Sequence, residues 1–134
     1  MKKNLPEKEI EDSVSRVGLE VTTSTRDNAK VLSLKGDLVA SEVIHFRQAC
    51  GRAEKENCSR WIVDLTHVNA IDGYGLASLV GLLSRTKSLG SRLVVCGVNP
   101  NLRSSLEATM CDGLFEITFT QTQALESLKF GPRE

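Results

Sequence analysis

Two short apolar runs constrain the fold of this chain more than any other feature. Trp61-Ile62-Val63 and Leu93-Val94-Val95-Cys96 show no polar alternation. A strand made from either is buried on both faces, as the central strands of a parallel sheet are. Between them, Leu76, Leu79, Val80 and Leu83 recur at three- and four-residue steps and stop at Gly90, which predicts a helix closed by a glycine. Parallel strands joined through a helix cross over with a right hand.

The pattern continues on both sides. Leu19, Val21 and Thr23 alternate with Glu20, Thr22 and Ser24, and Arg26-Asp27-Asn28 marks a turn before Val31, Leu32 and Leu34 run to Gly36. This predicts an antiparallel hairpin with strands near 18–25 and 29–35. Ser41 is placed as the N-cap of a helix over 41–57 with Val43, Phe46, Cys50 and Ala53 on its inner stripe. Asn99-Pro100 opens a third helix through Leu102, Leu106 and Met110, ended by Asp112-Gly113. Phe115 to Phe119 alternates as a last strand, and Thr120 with Gln123 forms a capping box for a terminal helix carrying Ala124, Leu125 and Leu128. The order β-β-α-β-α-β-α-β-α predicts an α/β sandwich: a mixed, mostly parallel sheet with an N-terminal antiparallel hairpin and about four helices.

A length of 134 residues suits one core. The expected division is a charged extension over 1–16, a domain over 17–130 and a tail over 131–134. Met1 to Arg16 holds eight charged residues, and the one element it suggests is a short helix using Ile10 and Val14. Seventeen basic residues balance seventeen acidic ones, so nothing in the composition favours nucleic acid as a partner. The longest apolar stretches, Leu76 to Leu83 and Leu93 to Val98, fall far short of the roughly 20 residues that span a bilayer. With no secretory core at the start, a cytoplasmic location and no membrane insertion are expected. Cys50, Cys58, Cys96 and Cys111 form no CxxC pair and no cluster with histidine, so neither a metal nor another cofactor is expected.

The segment from Val63 to Leu76 joins a buried strand to a buried helix, where ligands and partners bind in open α/β sheets. Val68 and Ile71 read as apolar plugs that hold a loop in place. Asp72 reads as the helix N-cap, with Gly73 and Gly75 relieving a tight turn. Tyr74 is either an exposed aromatic anchor or a ring leaning on its own helix. Arg85 and Lys87 complement the helix C-terminus. His45 and His67 read as surface or capping histidines, and Trp61 as a residue at the core edge.

Three sets of residues together resemble a known family. They are Trp61-Ile62-Val63-Asp64-Leu65 with Ile71-Asp72-Gly73-Tyr74-Gly75-Leu76, Leu89 to Gly97 with Asn99-Pro100-Asn101-Leu102-Arg103, and Leu34-Lys35-Gly36-Asp37-Leu38. Over roughly residues 17 to 130 the chain is similar to STAS domains, shared by sulfate transporters and anti-sigma factor antagonists. The resemblance implies a partner-switching protein that binds a serine kinase with a histidine-kinase-like ATPase fold, or a related regulator, and so controls sigma-factor-dependent transcription in bacteria. Homodimerisation is left open.

In that family, phosphorylation of a serine at the loop–helix junction ends the binding. The motif Asp-Ser-Ser/Thr-Gly falls on Asp72-Gly73-Tyr74-Gly75, so Asp72 and Gly75 match and the phosphoacceptor has become Gly73. Three readings follow: an antagonist that binds without phosphoregulation at this site, which is favoured; a substitute hydroxyl at Tyr74, Thr66 or Ser78; or a scaffold regulated through its partners. The partner-binding set is then Asp72, Gly73, Tyr74, Gly75 and Ser78. The alternative function is an accessory or scaffold subunit of a transporter or stress-signalling complex. Asp64, His67 and Asp72 form the only close acid–base set, without a nucleophile or phosphate-loop signature, so an enzyme is not expected.

Overall fold

The hairpin turn sits where the sequence places it: Asp27 and Asn28 both have positive φ, 48° and 67°. Short polar side chains tolerate that conformation, and two-residue hairpin loops require it. The computed structural model describes residues 12–15, 18–108 and 112–130. Ile10 and most of the charged extension, Met110, Cys111 and the tail 131–134 lie outside the described residues.

The elements are β1 (Asp12–Ser15), β2 (Leu19–Arg26), β3 (Ala29–Leu38), α1 (Val43–Glu54), β4 (Arg60–Ile71), α2 (Gly73–Ser88), β5 (Arg92–Cys96), α3 (Pro100–Ala108), a 3-10 turn (Asp112–Leu114), β6 (Glu116–Thr118) and α4 (Gln121–Phe130). They build one sheet in the order β1-β2-β3-β4-β5-β6. β1–β2 and β2–β3 are antiparallel, and the other neighbours are parallel. From β2 onward this is the predicted α/β order.

Because the strands follow one another across the sheet, right-handed crossovers carry α1, α2 and α3 to the same face. There Leu32, Leu34, Trp61, Val63, Leu65, Leu93 and Val95 meet Phe46, Cys50, Leu79, Leu82, Leu102 and Leu106 in the main core. The alternate residues Val31, Ile62, Val94 and Cys96 face the other way and meet Ala124 and Leu128 of α4. Burial on two faces explains why β4 and β5 read as unbroken apolar runs. Each fully buried Leu or Ile contributes about 2 kcal/mol by area.

Three local expectations are corrected. The segment 66–71 is not a loop: β4 continues to Ile71, with Lys35 opposite His67, Gly36 opposite Val68 and Leu38 opposite Ile71. Its polar residues pair because β3 is ten residues long and extends a ladder beside them. Residues 12–15, including Val14, form a strand rather than a helix, with Val14 opposite Val21. An open edge of β2 offers backbone partners that a four-residue helix lacks. Finally, Ser41 does not cap α1. Its N-cap is Glu42, which makes no side-chain cap bond, and the backbone closes the turn instead through Glu42 and Val43 amides donating to the Val39 carbonyl.

Candidate functional site

β4 delivers the chain to the start of α2 at Asp72, whose backbone is extended (φ −109°, ψ −174°) and ready to turn into the helix. Its carboxylate Oδ1 accepts from the Gly75 N–H at 2.9 Å, and Oδ2 accepts from the Ala40 N–H at 2.9 Å. One oxygen caps α2 and the other ties the β3–α1 connection to it. The Gly75 amide first, and the Ala40 amide second, hold this carboxyl below its ordinary pKa. The Ala40 contact carries no sequence signal of its own; only the Gly36-Asp37-Leu38 strand end hints at that neighbour.

Four residues follow with different environments. Gly73 is exposed, and a Cβ built on it meets nothing within 4 Å. Tyr74 is 69% exposed, which favours the exposed aromatic over the ring leaning on its own helix. Gly75 is required: its Cβ would lie 1.9 Å from the Leu38 carbonyl oxygen, so α2 can approach β3 only without a side chain there. Ser78 is 6% exposed and its hydroxyl donates to the Gly75 carbonyl at 2.6 Å. It faces inward and is withdrawn from the surface set, because one turn past the cap the helix presents that position to the core.

The substitute hydroxyl at Thr66 lies elsewhere. It donates to Asp64 Oδ1 at 2.5 Å. Six residues of strand separate it from Asp72, on the order of 20 Å. Asp64 also accepts from Gln121 Nε2 at 2.7 Å, and Asp64, His67 and Asp72 are strung out from β4 to the cap of α2 rather than gathered. His67 is exposed on the strand, and His45 is half-buried on α1 with Nε2 3.8 Å from Glu42 Oε1. Trp61 is buried, its indole N–H donating to the Cys58 carbonyl. Arg85 pairs with Glu54 across α1 and α2 at 2.8 Å, and Lys87 lies exposed in the last turn of α2. Among the described residues no group of three or more His, Cys, Asp or Glu side chains could hold a metal ion. No helix among them is long and apolar enough to cross a membrane.

Asp72 thus caps a helix start that Gly73 and Gly75 leave poor in side chains, beside the exposed Tyr74. The STAS domain family model matches residues 20–125, and the chain belongs to that family. Among solved structures it resembles an anti-sigma factor antagonist from Mycobacterium paratuberculosis, at 19% identity and TM-score 0.77 over 86% of this chain and 97% of that one. It also resembles an anti-sigma-factor antagonist (STAS) domain protein from Planctomyces limnophilus, at 19% identity and TM-score 0.70 over 81% and 96%. A sulfate transporter family protein from Wolinella succinogenes matches at 16% identity and TM-score 0.69 over 79% and 88%. At these identities the likeness is one of fold.

Proposed function

We propose that this domain is a regulatory binding protein of the anti-sigma factor antagonist type. It engages a kinase-type anti-sigma factor, or a related ATPase-fold regulator, through the exposed start of α2. The observation that carries this reading is the geometry at residue 73. The position points into open space beside an exposed Tyr74, at the motif site where the family carries its phosphoacceptor serine. A phosphate there would bring about −1.5 to −2 charges into the interface. With glycine there is no hydroxyl at that position to carry the added charge, and binding escapes that control. The domain acts by binding rather than by catalysis, in the cytoplasm of a bacterial cell.

The test is titration against an ATPase-fold anti-sigma factor kinase from the same organism. Tyr74→Ala is expected to weaken binding more than about tenfold, and ATP is expected to leave residue 73 unmodified. Gly73→Ser should accept phosphate and then lose the partner. Unchanged affinity for Tyr74→Ala, or a phosphate on Tyr74 or Thr66 of the unaltered chain, would contradict the reading. The likeness in fold to a sulfate transporter family protein supports a second reading, in which the same surface meets the cytoplasmic face of a transporter.

A further inference from the structure

The last strand of the sheet has an open edge. β6 pairs with β5 on one side and with no other strand among the described residues. The Gly97 N–H donates to the Thr118 carbonyl at 3.2 Å, so the backbone polar groups of Thr118, and of Glu116 two residues back, point toward β5. Alternation then directs the N–H and C=O of Ile117 outward. Beside this edge runs a groove of about 940 Å³ lined by Leu114, Phe119 and Phe130, among others. These three are 51%, 76% and 79% exposed. Large apolar side chains gathered next to an unpaired strand mark a surface that other backbone can join.

We propose that this edge is a homodimer interface, in which β6 strands of two copies pair antiparallel about a two-fold axis at Ile117. In that register each Ile117 N–H donates to the partner's Ile117 carbonyl, which satisfies all four outward groups at the axis. Glu116 then faces the partner's Thr118, and Phe115 faces the partner's Phe119. An axis at Glu116 would instead oppose two carboxylates. The Glu116 carboxylate is already held by Arg92 at 2.6 Å and by Ser127. On α4 the Glu126 carboxylate lines the groove and the Lys129 ammonium lies 5.8 Å from the Phe130 ring centroid, so charges of both signs stand beside the edge and the two faces meet without net repulsion.

Area supports a second copy as the occupant. Two phenylalanines about three-quarters exposed and a half-exposed leucine offer on the order of 400 Å² of apolar surface per copy. Two copies supply roughly 800 Å², close to the apolar share of a standard interface of about 1,600 Å². Pairing of β6 with β1 of another copy would leave free edges at both ends and grow into open chains, whereas pairing with itself closes at two.

Sedimentation equilibrium of the full chain tests this. The wild type is expected to be a dimer that dissociates on dilution. Phe119→Glu and Phe130→Glu should each weaken association more than about tenfold, with an unaltered circular dichroism spectrum and thermal melt, because both side chains are exposed. The Ile117 amide should exchange slowly with deuterium in the dimer and rapidly in the dissociated variants. A wild type that is monomeric at every concentration, or a dimer indifferent to both substitutions, overturns the proposal. So does slow exchange at Ile117 that persists in the monomer, which would mean that the chain covers its own edge.

Discussion

At the scale of single residues, the two glycines flanking Tyr74 have opposite meanings that the sequence alone does not separate. Gly75 lies against the Leu38 carbonyl and Gly73 against nothing. Gly75→Ala is therefore expected to cost about 1–3 kcal/mol through forced separation of α2 from β3, while Gly73→Ser stays within about 0.5 kcal/mol; urea denaturation of both variants compares them directly. Asp72 provides a pH-dependent prediction. Its folded pKa is depressed by the Gly75 and Ala40 amides, so its stabilising contribution is present above the unfolded carboxylate value near 4 and is lost as pH falls through the lower folded value. Asp72→Ala should be less stable than wild type at pH 7, with the gap narrowing as the pH falls below the unfolded carboxylate value near 4. A gap that is constant with pH would mean the carboxylate charge is not what holds the junction.

At the scale of elements, the hairpin, the two apolar strands and the cap of α3 were legible because each carries its own local signal. Asn99 illustrates this: its Oδ1 accepts from the Leu102 N–H at 2.9 Å, as the Asn-Pro spelling predicts. Its Nδ2 also donates to the Val68 carbonyl at 3.0 Å, a contact between α3 and β4 that no spacing reveals. Asn99→Ala should accordingly cost more than the roughly 1 kcal/mol of a lone N-cap, measured by equilibrium unfolding. A smaller cost would mean that the Val68 carbonyl finds water. The second half of β4 was illegible for the converse reason. Asn69 and Ala70 are poor strand formers and the segment 66–70 shows no period of two, and the ladder to β3 overrides both. Ser41 failed as a cap because a neighbouring backbone turn had already used the amides.

At the scale of the whole molecule, the two faces of the sheet are unequally covered. Among the described residues three helices bury one face, and α4 shields Val31, Ile62, Val94 and Cys96 on the other. Leu128→Ala should then cost about 2–5 kcal/mol and speed alkylation of Cys96, whose thiol is pushed up to about 12 by burial and the nearby Asp64. Peptide mass mapping after iodoacetamide treatment checks this, and a Cys96 as slow as in wild type would place its protection elsewhere. The sequence by itself determined the class of fold, the order of elements from β2 onward and the position of the α2 junction, because periodicity and caps are properties of neighbouring residues. Only the tertiary structure decided that Ser78 turns inward, that Thr66 lies far from Asp72, that Gly73 opens onto empty space and that, among the described residues, β6 ends the sheet with an unpaired edge. Those facts depend on which strand lies beside which, and contacts between distant parts of a chain leave no period in its sequence.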